Sequence, residues 1–202
     1  MTDKTTHQAI WFRTDIINEL EASTVFLYDQ ITNLSDTHDW RWIIIGGTFL
    51  LQGACASALH QSSTLGINCL DDKDLEKWHL HLHDVSGEIT RPNGGRVAST
   101  RILLNRCIEG IYFPSHITIN LEDEWIKDCR TLINFRDKFT HFNPMGGSIE
   151  VSGFPRILLN VVTLSEALTE ALPDMITYTD TVIIKRILKK LSAIKLQLEN
   201  IT

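Results

Sequence analysis

One uncharged run, Ile43 to Leu59, constrains this chain more than any other stretch. It is apolar or small almost throughout, and only Thr48, Gln52 and Ser57 interrupt it. Arg41 and His60 lie just outside its two ends. A membrane-spanning helix needs roughly 20 apolar residues, so the run falls a little short. The reading it favours is a central helix buried on every side. Gly46, Gly47, Gly53, Ala54, Ala56 and Ala58 would let neighbouring helices come close to it.

The flanking sequence repeats apolar residues at helical spacing, about 100° per residue. Residues 10–34 form one such helix, with Ile10, Ile16, Ile17, Leu20, Val25, Leu27, Ile31 and Leu34 as its apolar repeat. A polar break at 35–39 ends it, and Asp39 is placed to cap the next helix, about 40–60. Asp71-Asp72-Lys73-Asp74 opens a short third helix, with carboxylates at its positive end. Arg91-Pro92-Asn93-Gly94-Gly95 must be loop. Further helices are expected at about 97–109, 119–142, 155–172 and 174–198, the last starting on Pro173-Asp174. Ser148 to Val151 is a candidate for a brief extended segment. No repeat and no linker divides the chain. The expectation is an all-α protein: one domain over residues 1–202, an up-and-down helical bundle with accessory helices.

With 202 residues the chain can bury a sizeable core. Its net charge of −6 argues against a general nucleic-acid coating protein. It leaves room for an enzyme that binds RNA through one local patch. The N-terminus has no apolar leader region, and Cys55, Cys69, Cys107 and Cys129 show no Cys-x-x-Cys spacing. A cytoplasmic protein with reduced, mostly buried thiols follows as the expectation.

Chemistry concentrates in the 119–142 helix. Leu121, Trp125, Cys129, Leu132 and Phe139 form its apolar stripe, and Arg136 falls inside it. A charge on a core face is costly unless it is paired or functional. His141 follows five residues later. A guanidinium forks onto phosphate, and an imidazole exchanges a proton near neutral pH. Together they can cut a phosphodiester without a metal or other cofactor. Five residues carry the helix about 140° past a full turn. Reach of the arginine, distortion of the last turn, or a second copy of the helix must therefore bring the two groups together.

The run Phe135-Arg136-Asp137-Lys138-Phe139-Thr140-His141-Phe142-Asn143-Pro144, followed by Gly147-Ser148-Ile149-Glu150 and Gly153-Phe154-Pro155, resembles the HEPN superfamily signature. In that signature four to six residues separate an arginine from a histidine, and a polar residue often follows the arginine directly. The likeness is detailed over residues 119–156 and extends elsewhere only as an all-helical pattern. It implies a metal-independent endoribonuclease, a toxin or antiviral-defence effector, working as a homodimer whose two motif helices face one cleft. Arg136, Asp137 and His141 would then be catalytic, with Thr140 in support. The partners implied are RNA and an antitoxin or defence-system protein. The alternative within the same resemblance is a non-catalytic HEPN module that binds a nucleotide, RNA or a protein.

Three other features carry weaker signals. Lys185, Arg186, Lys189, Lys190 and Lys195 follow helical spacing and form either a solvated face or a phosphate-tracking patch for RNA. Arg91 and Arg96, around Gly94-Gly95, could cradle phosphate. His79, His81 and His83 would share a face on a strand and suit a metal. On a helix only His79 and His83 align, and no metal is expected. Trp40 and Trp42 read as core residues.

Overall fold

The computed structural model describes residues 15–140, 148–177 and 180–201. Among them are seven α-helices and no strand: α1 (Ile16–Thr32), α2 (Trp40–Gln61), α3 (Asp72–His83), α4 (Thr100–Glu109), α5 (Asp123–Thr140), α6 (Phe154–Glu170) and α7 (Thr181–Ile201). The protein is all-α, as its periodicity predicts. Helices α1, α2, α6 and α7 are neighbours in a closed ring, α1 to α2, α2 to α6, α6 to α7 and α7 back to α1. Helix α5 packs beside α2 and α6, and α4 packs on α2.

The uncharged run supplies the middle of this assembly. Ile43, Ile44, Leu50, Leu51 and Leu59 are fully buried, each contributing about 1.5–3 kcal/mol of apolar transfer. Two of its glycines mark close approaches to other helices. A Cβ on Gly47 would come within 2.7 Å of Leu158 on α6, and one on Gly53 within 3.3 Å of the Leu20 backbone on α1. By length and mean hydropathy α2 could cross a membrane; here 78% of its apolar window is buried inside the protein.

Local chemistry sets the helix ends. Asp15 Oδ1 accepts from the Ile17 and Asn18 amides, Asp71 Oδ1 from the Asp74 amide, and Ser99 Oγ from the Ile102 amide. These satisfy backbone donors that a first helical turn leaves unpaired. Gly110 closes α4 with φ +67°, a left-handed geometry that a side chain would strain.

Four sequence expectations need correction. The Asp39 carboxylate does not bond forward onto α2; it reaches back to the Ser35 and Asp36 amides at 2.9 Å. The 119–122 segment precedes α5 rather than opening it. The Pro173-Asp174 pair does not start the last helix. It sits in a 3-10 turn, Leu172–Asp174, and α7 begins at Thr181 after Asp180, whose carboxylate accepts from the Val182 amide at 2.8 Å. Residues 148–151 form no strand.

All four cysteines are free and buried. Burial pushes the Cys69 thiol up to about 11 and raises Cys107 and Cys129 well above the usual thiol range.

Candidate functional site

Helix α5 leaves the core at its C-terminal end. Cys129, Leu132 and Ile133 are buried in its middle. Phe135 and Phe139 then pack edge-on to Phe154 of α6, with centroids at 4.9 and 6.5 Å, and Trp40 joins the same cluster at 5.7 Å. Arg136 lies between the two phenylalanines in sequence, on the side of the helix that carries Leu132. Its side chain keeps 30% of its exposure, so the stripe position is right but the charge sits at the edge of the core.

The environment of that charge is unequal. Arg136 Nε lies 3.1 Å from Asp137 Oδ1, close enough for an ion pair. The Nε–H is nevertheless buried with no hydrogen-bond acceptor, because the neighbouring carboxylate is not in line with it. Asp137, at 47% side-chain exposure, offsets charge without completing the donor set. The Thr140 hydroxyl donates to its own helix, to Arg136 O at 3.0 Å and more weakly to Asp137 O at 3.3 Å. Its proton is spent on the backbone, a common habit of threonine in helices. His141, with Asn143, Pro144 and Gly147, lies outside the described residues.

Sequence reasoning passed over a second arginine here. Arg41, in the first turn of α2, donates from Nη2 to Phe139 O at 2.7 Å. A cation on the last carbonyls of a helix complements its negative end, and Arg41 supplies one to the last described turn of α5. Its guanidinium lies 5.8 Å from the Trp42 ring. Trp42 is 52% exposed while Trp40 is buried, which corrects the reading of both as core. The two indoles, Arg41, Phe139 and Ile149 line an open groove of about 650 Å³ at the end of α5. The adjacent Trp-Arg-Trp in sequence was the available signal, since neighbours on a helix point about 100° apart.

Asp128 was also missed. It is 2% exposed, and its carboxylate accepts from Arg156 Nη1 at 2.6 Å and Asn160 Nδ2 at 2.7 Å. These bonds tie α5 to α6 about two turns before the aromatic cluster.

The basic residues of α7 do not form one free patch. Arg186 forks onto Glu21 of α1 at 2.7 and 3.0 Å. Lys190 sits 4.0 Å above the Tyr28 ring, and Lys195 pairs with Glu166 at 2.7 Å. Lys185 and Lys189 remain exposed on the outer face. Much of the positive charge therefore holds α7 to its neighbours. The loop arginines are engaged in the same way. Arg91 lies 5.4 Å from the Trp78 ring, and Arg96 Nε donates to Asp71 at 2.8 Å.

Helix α3 settles the geometry of the histidine run. His79 and His83 stand a turn apart, ring centroids 6.4 Å from each other, while His81 Nδ1 faces Ile89 O at 2.8 Å. Among the described residues no three His, Cys, Asp or Glu side chains converge as a metal-binding group. The chain matches no family model, no curated protein and no solved structure.

Proposed function

We propose that this protein is a metal-independent endoribonuclease of the HEPN type, a homodimer acting in the cytoplasm as a toxin or defence effector. Arg136 and His141 are its central pair. The observation that carries the reading is the Arg136 guanidinium, a permanent charge at the core edge with a buried N–H that no acceptor meets. Leaving such a donor unsatisfied costs about 1–3 kcal/mol. That N–H is closed to solvent, so a phosphate would be met by the part of the Arg136 side chain that keeps 30% exposure, and guanidinium matches phosphate geometry.

In this scheme a 2′-hydroxyl of RNA attacks the adjacent phosphorus. An imidazole takes the hydroxyl proton, the P–O2′ bond forms, and the P–O5′ bond breaks. The departing 5′-oxygen receives a proton from an acid, which in a two-fold dimer is the second His141. The products are a 2′,3′-cyclic phosphate and a 5′-hydroxyl. Arg136 holds the phosphate and offsets the charge that grows on its oxygens. Asp137 sets the position of the guanidinium, and Thr140 acts through the backbone of that turn. Lys185 and Lys189, with Arg186 and Lys190 behind them, are the candidate track for RNA outside the site.

A second reading keeps the HEPN likeness but makes the chain a binding module for a nucleotide, RNA or a protein. The engagement of Arg186 and Lys190 within the fold and the net charge of −6 favour it. Purified protein incubated with total RNA in EDTA separates the two. The enzyme reading expects cleavage that survives the chelator, yields 5′-hydroxyl ends and falls about 10²–10⁴-fold in His141→Ala. Absence of cleavage with every RNA tried, or equal cleavage by His141→Ala, removes it.

A further inference from the structure

Across the ring from α5, helices α1 and α7 border a cavity of about 360 Å³. Glu21, Val25 and Tyr28 line it from α1, and Arg186, Lys189, Lys190 and Ala193 line it from α7. Within each set the residues recur three or four apart, so each set shares one helical face. None of these residues is buried, so the groups that line the cavity also meet solvent.

The charges around this space are unequal. Glu21 is the one carboxylate among its described lining residues, and both its oxygens accept from Arg186, at 2.7 and 3.0 Å. Lys190 Nζ stands 4.0 Å from the centroid of the Tyr28 ring, a contact that gives its N–H donors no acceptor oxygen. Lys189 has no ion-pair partner among the described residues, and the Tyr28 hydroxyl has no hydrogen-bond partner there. Two ammonium groups and one hydroxyl are thus unmet beside the apolar surface of Val25 and Ala193, in a chain whose net charge is −6. A cleft with one sign of charge and low-dielectric walls focuses its field and concentrates counter-ions.

Unmatched cations beside an aliphatic wall define one kind of occupant. We propose that this cavity binds a phosphomonoester carried on a compact apolar body. The Lys189 and Lys190 ammoniums and the Tyr28 hydroxyl donate to the phosphate oxygens, and the body lies against Val25 and Ala193. A phosphomonoester suits the site better than a carboxylate. Near pH 7 it carries close to two negative charges and three strong acceptor oxygens, which matches two ammoniums and one hydroxyl. The volume is at the small end for a small-molecule site, roughly 300–1,000 Å³. Arg186 stays on Glu21 and joins α7 to α1 at the rim. The cavity is on the far side of the ring from Arg136 and needs no cleavage, so it stands or falls separately from the ribonuclease reading.

The test uses the full chain and phenyl phosphate, with calorimetric titration and thermal melting at constant ionic strength. A ligand that binds only the folded state raises its melting temperature with concentration. Wild type should show that rise and saturable heat. Phenol, which lacks the charge, and inorganic phosphate, which lacks the body, should each bind at least about tenfold more weakly. The variant carrying both Lys189→Gln and Lys190→Gln should lose about tenfold or more in affinity, and Tyr28→Phe about threefold or more. Glu21→Gln removes the lone carboxylate and releases the Arg186 fork, so it should bind phenyl phosphate at least about threefold more tightly. Uridine 5′-monophosphate and hexyl phosphate then compete with phenyl phosphate, and the stronger competitor tells a nucleotide source from an alkyl one. Failure of both to compete overturns the site. So does no saturable response in wild type, or inorganic phosphate binding as tightly as phenyl phosphate. Unchanged or weaker binding by Glu21→Gln overturns it even if the double variant fails to fold.

Discussion

Arg106 of α4 and Arg136 of α5 occupy similar places in sequence, each a cation among the core-facing residues of an amphipathic helix, and the fold treats them differently. Arg106 is 5% exposed. Its Nη1 donates to Asn68 O at 2.7 Å and Leu70 O at 2.6 Å, its Nη2 to Asp72 at 2.7 Å, and its guanidinium lies 5.5 Å from the Tyr112 ring. It pins the 68–72 segment to α4. Arg136 has one misaligned neighbour and an unmet donor. The two differ in their acceptors: Arg106 finds them within its own fold, whereas Arg136 keeps a buried N–H without one.

The contrast can be broken by mutation. Arg106→Ala strands the Asn68 and Leu70 carbonyls, while Asp72, 78% exposed, turns to solvent, so it should cost about 2–4 kcal/mol in urea unfolding, at about 1–3 kcal/mol per unsatisfied buried acceptor. Arg136→Ala should stay within about 1 kcal/mol of wild type, or gain stability. If the two cost the same, the distinction fails. Activity sharpens it from the other side. Arg136→Lys keeps the charge and loses the fork, and should lower RNA cleavage by about 10²–10³-fold. Arg106→Lys, corrected for its folded fraction, should cleave like wild type. A rate loss in Arg106→Lys matching that in Arg136→Lys would assign both to folding.

The smallest effect is expected from pH, on the Arg106 side of the molecule. Backbone amide of Asp74 and then Arg96 hold the Asp71 carboxyl below its usual range; Lys77 and then the Arg96 amide do so for Asp74; the Ser86 hydroxyl and then the Ile89 amide for Asp84. A carboxyl depressed in the fold stabilises it above the unfolded pKa, near 3.9, and that contribution fades as pH falls through the folded value. Amide exchange in 84–97 should therefore gain protection loss below about pH 4 that α5 does not share, after correction for intrinsic rates. Equal loosening of both segments would count against this clasp.

Much of this architecture was legible because its signals are local. The small residues of α2, the acidic opening of α3 and the pairing of His79 with His83 each follow from spacing within a few residues. What escaped depends on distant partners. Asp128 looks like a surface carboxylate until Arg156 and Asn160, one turn apart on α6, are brought against it. Arg41 caps a helix almost a hundred residues away. The α7 boundary was misread because a proline at a helix start and a proline in a 3-10 turn look alike in sequence. The Arg136 position was visible from periodicity, but its unmet N–H is a matter of angle that no spacing encodes.

The buried thiols also make the protein its own clock. With Cys69 pushed up to about 11, on the order of one thiol in 10⁴ is thiolate at pH 7, and Cys107 and Cys129 ionise even less readily. Mild oxidants and alkylating agents thus find almost nothing to attack while the helices stay closed. Since these sulfurs are distributed over α2, α4, α5 and the turn before α3, the order in which they become labelled traces which part of the molecule opens first, and how often.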